Sequence, residues 1–227
     1  MKFKLLAATL FLALSAASAE SPLPQLRIEP TTGGSIFYVK NISSQALTGY
    51  LIELVDYPGS QYSLWQDEIG LESYAPGAIA PIPITPGTEK RIQVGNMTVG
   101  AVPDYVKIQA AVYADGSTAG VPEKVAELIE RRRFTLQTVR DAIERIQKGQ
   151  AANLSKDAIV TILKHAAEFM QPTRKSALPP QVAIDRAAGS WLLSQVATRM
   201  EKEPVKDTLE KLQAWASELA ESKPGLE

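Results

Sequence analysis

The hydrophobic period of this chain changes once, at Gly120, and that single switch limits what it can fold into. Before it, apolar residues alternate with polar ones in short runs. Val106, Ile108, Ala110 and Val112 fall on one side of 104–113, with Lys107, Gln109 and Tyr113 on the other; Leu26 and Ile28 oppose Arg27 and Glu29, and Ile92 and Val94 oppose Arg91 and Gln93. A period of two is that of strands with one face in a core, and short strands between turns predict an antiparallel sandwich or barrel. After Gly120, Val125, Ile129, Leu136, Val139, Ile143 and Ile146 recur mostly at spacings of three and four. That is the stripe of an amphipathic helix. The expected fold class is therefore α+β, with an N-terminal antiparallel β-sandwich over 20–120 and a C-terminal helical region over 121–227.

Within the first half, 35–40 and 46–55 are more uniformly apolar, which predicts central strands or strands whose outer face another element covers. Gly33-Gly34, Pro58-Gly59, Pro76-Gly77, Pro86-Gly87 and Asp115-Gly116 mark turns, and six or seven strands are expected. In the second half Pro122 suits a first helical position. A continuous helix over 121–148 would run roughly 42 Å at 1.5 Å per residue, longer than the sandwich is wide. It is expected to pack first on the sheet and then on later helices. Three shorter helices follow: 156–170, capped by Ser155, with Ile159, Ile162, Leu163, Ala166 and Phe169; 181–202, with Ala183, Ala187, Trp191, Leu192 and Val196; and 204–221, with Val205, Leu209, Leu212, Trp215 and Leu219. The ends, 20–24 and 222–227, are expected to fray.

The first 19 residues have their own pattern. Met1-Lys2-Phe3-Lys4 is a short basic start, Leu5 to Leu14 is apolar, and Ala17-Ser18-Ala19 is a small-residue cleavage site. This predicts a cleaved signal peptide over 1–19 and a soluble exported protein, periplasmic or secreted. No later stretch reaches the roughly 20 apolar residues of a membrane-spanning helix. Cleavage removes Lys2 and Lys4, leaving 22 basic against 25 acidic residues. That balance favours neither nucleic acid nor an anionic membrane surface as a partner. The chain has no cysteine, which excludes disulfides, thiol nucleophiles and thiolate metal sites and fits a bacterial exported protein better than a eukaryotic one. Charge also divides at the switch: 20–120 holds 5 basic and 10 acidic residues, and 121–227 holds 17 and 15.

No constellation reaches a catalytic, metal or cofactor motif. His165 is the only histidine and lies inside a predicted helix with no serine or acid patterned around it, so it reads as a surface or packing residue. Glu53, Asp67, Glu68 and Glu72 contain pairs that a glycosidase could use, but spacing alone does not establish one. The segment most suggestive of binding is 57–74, expected as a loop between strands. Tyr57, Tyr62, Trp65, Asp67, Glu68 and Tyr74 combine rings that stack on sugar faces with carboxylates that take hydroxyls. The competing reading has Trp65 and Tyr62 capping the sandwich core. The run Glu130-Arg131-Arg132-Arg133 is mostly a solvated helix face, with Glu127 and Arg131 four apart. Arg132, however, falls where the apolar stripe would continue, and is expected to reach an acid on the sandwich.

The sequence Ser35-Ile-Phe-Tyr-Val-Lys-Asn-Ile-Ser-Ser-Gln-Ala-Leu-Thr-Gly-Tyr-Leu-Ile-Glu-Leu-Val55, with Pro86-Gly87 before the strand at Ile92, resembles the immunoglobulin-like and fibronectin-type sandwiches of bacterial exported proteins. The likeness covers about 25–115. It implies an adhesive or accessory module and carries no active site with it. The expected function is thus a non-enzymatic binding or scaffolding module of the cell envelope, without cofactor, whose partner is an envelope protein or glycan. The alternative is a carbohydrate-binding protein, or less readily a carbohydrate-cleaving one, using 57–74.

Overall fold

The computed structural model describes residues 21–32, 34–55, 61–67, 69–70, 83–95, 106–172 and 178–226. The proposed signal peptide, 1–19, lies outside them. The described residues form a mixed α+β fold, with two antiparallel sheets and four helices among them. The elements run β1 (Gln25–Thr31), β2 (Gly34–Lys40), β3 (Leu47–Val55), β4 (Gln61–Asp67), β5 (Glu89–Gly95), β6 (Val106–Tyr113), β7 (Thr118–Gly120), α1 (Pro122–Ala151), α2 (Lys156–Met170), α3 (Pro180–Lys202) and α4 (Val205–Glu221). One sheet has the order β1-β2-β5 and the other β4-β3-β6-β7. Both contribute to one core: Phe37 and Val39 from β2, Tyr50, Ile52 and Leu54 from β3, and Val106, Ile108, Ala111 and Tyr113 from β6.

That list corrects the simple alternation of 104–113. Leu51 pairs with Ala110 but Ile52 pairs with Ile108, so Gln109 is an extra residue in the ladder. Such a bulge reverses the faces beyond it. Tyr113 therefore enters the core, while Ala110 and Val112 leave the core cluster although both are fully buried. The bulge also sets the start of the long helix. The Gln109 carbonyl accepts from Val121 N at 2.8 Å, and the preceding Gly120 has φ +106, with Gln109 O only 2.1 Å from where a Cβ would stand. Only glycine fits there.

Helix α1 lies on the outer face of the second sheet near its start and on the other helices beyond. Leu128 and Arg132 approach Gly49 of β3, and Lys124 Nζ reaches Glu53 at 2.9 Å. Further along, Leu136, Val139, Ala142 and Ile146 join a second core with Leu163, Leu193, Val196, Leu212 and Leu219. Ser155 caps α2 by accepting from Ala158 N at 3.2 Å. Two residues depart from the predicted stripes. Phe169 is 83% exposed and Ala187 is exposed, because α2 and α3 face each other through Val160, Leu163, Ala167, Gly189 and Leu193 instead. The C-terminal segment, expected to fray, is held to 226: Leu226 is 3% exposed and its carbonyl accepts from Arg133 Nε at 2.8 Å. The N-terminal segment is likewise tied, through Ser21 to Ser117 and through the Tyr113 hydroxyl donating to Pro22 O.

Asn41 explains the Val-Lys-Asn-Ile-Ser turn. Its side chain is fully buried, donates to the carbonyls of Gln45 and Ile84 at 2.7 Å each and accepts from Ser43 N at 2.9 Å. It thereby closes the corner where the chain leaves one sheet for the other.

Candidate functional site

The polar centre of the molecule is where β3, the end of β4, α1 and the C-terminal segment meet. Arg132 is the largest fully buried side chain among the described residues. Its Nε donates to Asp67 Oδ2 at 2.7 Å, and Nη2 donates both to Asp67 Oδ1 and to Thr48 Oγ1 at 3.0 Å. Nη1 donates to Lys223 O at 3.3 Å. Asp67 Oδ1 also accepts from Ile69 N at 3.2 Å, and Thr48 donates onward to Val112 O at 3.0 Å. A bidentate arginine–carboxylate pair is the strongest way to satisfy two charges removed from water. Both side chains are almost wholly removed, at 0% and 2% exposure.

The guanidinium fits because Gly49 leaves room for it: a Cβ there would stand 2.7 Å from Nη2. Trp215 of α4 fastens the same corner, its Nε1 donating to Ile69 O at 2.9 Å. Beside the joint opens a cavity of about 400 Å³ between the second sheet and α4. Thr48 and Ile69 line it on the sheet side, and Ser217, Glu218, Glu221 and Lys223 on the other. Its carboxylates are exposed, and no group of three or more histidine, aspartate or glutamate residues that could hold a metal occurs among the described residues.

Of the sequence-predicted site residues, Tyr57, Glu68 and Tyr74 lie outside the described set. The segment expected as a loop contains strand β4, in which residue 62 pairs with Leu54 and residue 65 with Leu51. Asp67 is buried and committed to Arg132, which withdraws it from any ligand. Glu53 is likewise paired, with Lys124, and that bond is the main cause holding the lysine above its ordinary pKa, with Glu127 adding to it. His165 is exposed on α2.

The anticipated contact between Arg132 and an acid of the strand-rich half is present, and its acid is one of the proposed ligand residues. Thr48, Lys223 and the Trp215 bond carried no signal in the sequence; they became visible only once the chain was folded. No protein family, curated protein or solved structure matches the chain.

Proposed function

We propose that this chain is a non-enzymatic exported protein that acts as a binding or scaffolding unit of the bacterial cell envelope, with an immunoglobulin-like sandwich as its first half. The strand order supports the sandwich class. Immunoglobulin constant-type domains place strands A, B and E in one sheet and C, F and G in the other. Lettering β1, β2 and β5 as A, B and E, and β3, β6 and β7 as C, F and G, gives that division, with β4 on the free edge beside β3.

The observation that carries the functional reading is the Arg132–Asp67 joint. The most deeply buried charges of the described chain are spent on fixing a helix, a sheet edge and the C-terminal segment in one geometry. A scaffold depends on such fixed geometry between the parts it holds. The reading is tested by site-specific crosslinking in intact cells, from exposed positions on both halves, with envelope substrates screened for turnover in parallel. A defined partner recovered reciprocally, and lost on surface substitutions that leave melting unchanged, supports it. Turnover abolished by one point change overturns it. So does a saturable fluorescence response to an envelope glycan that Trp65→Phe removes, which would favour the carbohydrate alternative.

A further inference from the structure

The segment that follows α4 lies across the seam between the strand-rich and helical halves. It leaves α4 at Ser222 and passes the β6–β7 turn, where a Cβ on Gly116 would stand 2.9 Å from Lys223 Cβ and 3.5 Å from Pro224 Cα. It then reaches α1, with the Leu226 side chain in the helical core. Along it Lys223 and Gly225 are exposed, Ser222 and Pro224 partly buried, and Leu226 buried. Two backbone carbonyls hold it to α1: that of Lys223 accepts from Arg132 Nη1 at 3.3 Å, and that of Leu226 from Arg133 Nε at 2.8 Å.

These grips differ in kind from the joint beneath them. The three bonds from Arg132 to Asp67 and Thr48 are buried, whereas the fourth, to Lys223 O, is only partly so. Lys223 therefore stands on the water side of the guanidinium, and its carbonyl is the one acceptor of Nη1 among the described residues. The segment itself has a single buried apolar anchor and exposed residues at 223 and 225. Segments with few buried contacts open locally while the rest of a fold stays closed. A buried ion pair is the opposite case, because its attraction is strong only while water is kept away. The cavity of about 400 Å³ lies against the same place: Ser222 and Lys223 line it together with Thr48, itself a partner of Arg132.

We propose that residues 222–226 form a releasable strap that shuts water out of the Arg132–Asp67 joint, so that its position sets whether the two halves are locked together. Closed, the strap satisfies Nη1 and keeps the pair dry. Open, it joins the cavity to the guanidinium and hydrates the pair, and a guanidinium and a carboxylate in water hold each other weakly. A partner that takes up the exposed backbone around Lys223 and Gly225 would thus act on the joint without touching it. The inference rests on the reading of the joint as what fixes the geometry of a scaffold. Its test reads access to one side chain, so its failure leaves the crosslinking result as it stands.

The test is labelling of the protein, residues 20–227, with phenylglyoxal, which adds to accessible guanidinium groups, followed by peptide mapping by mass spectrometry. Exposed Arg91 is the freely reactive reference, and amide hydrogen exchange around the fully buried Leu193 and Val196 of α3 gauges global unfolding. Leu226→Asp lifts the strap by charging its anchor. Arg133→Gln is milder, removing the grip on Leu226 O from a partly exposed position. Gly225→Ala, whose Cβ would meet nothing within 4 Å, is the control. Arg132 is expected to be protected in the native chain and the control. It should react at least about tenfold faster in Leu226→Asp, and less so in Arg133→Gln, with α3 exchange unchanged. Such selective labelling in either variant supports the proposal. Its absence in both overturns it, whether protection of Arg132 is kept or is lost together with that of α3. Labelling of Arg132 as fast as Arg91 in the native chain overturns it too, since no strap then shuts the joint.

Discussion

The two sheets are built from the same alternation of residues, yet their outer faces have opposite fates. On β1-β2-β5 the outward residues Arg27, Glu29, Lys40, Glu89, Arg91 and Gln93 are exposed, and Tyr38 is half-buried under the Arg27 guanidinium. On β4-β3-β6-β7 helix α1 covers the outer face, and Leu47 to Leu54 of β3 are buried throughout. Covering a sheet on both sides demands near-continuous apolar sequence, and any polar group left there must find a partner. Glu53 finds Lys124, and Asp67 finds Arg132. Charge on the open face costs little and contributes little, because water competes for it. On the covered face it becomes an obligate structural joint.

The largest effect expected from breaking this contrast is at the joint. Asp67→Ala leaves the Arg132 guanidinium buried without its carboxylate, which costs about 3–5 kcal/mol. At roughly 2–4 °C per kcal/mol for a chain of this size, the melting temperature followed by circular dichroism should fall by about 6–20 °C. Arg132→Met combined with Asp67→Leu should recover most of that loss, since a well-packed apolar pair removes the unpaired charge. A fall of about 1 kcal/mol or less in the single variant would show the covered face to be no more demanding than the open one.

The next effect concerns how the cover is positioned. Gly120→Ala forces a Cβ into φ +106 and against the Gln109 carbonyl, and should cost about 1–3 kcal/mol. Gly87→Ala has φ +78 with nothing within 4 Å, so it measures the backbone penalty alone and should cost less. Equal losses at the two sites would mean that the bulge does not constrain the start of α1.

A smaller effect separates the faces by pH. Burial pushes the Tyr113 phenol up to about 12, where the unfolded chain titrates near 10. Between those values the folded state holds the proton more tightly, so stability contributed by Tyr113 is intact below about pH 10 and lost as pH rises towards 12. Tyr113→Phe should flatten the fall in melting temperature across that window. An unchanged alkaline slope would show that Tyr113 does not carry it.

Much of this contrast was legible in the sequence. The uniform apolarity of 46–55 announced a central or covered strand, and Arg132 in an apolar stripe announced an acid partner on the strand-rich half. What the sequence hid was any feature that depends on count and not on pattern. One extra residue at Gln109 inverts the faces beyond it, moving Tyr113 inward, and no residue type there signals a bulge. Strand β4 was hidden for a related reason: its polar residues read as loop because an edge strand needs pairing on one side only. For the candidate site, Arg132 was expected to reach some acid of the strand-rich half, but Asp67 was noticed only as a ligand residue and the two were not joined. Only the register of β3 with β4 brings Asp67 beneath α1.

The smallest effect expected is the sharpest check on the open sheet. Arg27 pairs with Glu29 and Glu89 and lies 3.8 Å over the Tyr38 ring, more contacts than most surface residues make. Its side chain is nonetheless 52% exposed and that of Glu29 49%, so each contact exchanges for one with water. Arg27→Ala should therefore leave the melting temperature almost unchanged, and what change there is should shrink further in high salt. A clear, salt-insensitive loss of stability would mean that the aromatic contact has removed the arginine from water in effect. The first sheet would then carry a structural joint of its own, and coverage by a helix would no longer be what distinguishes the two faces.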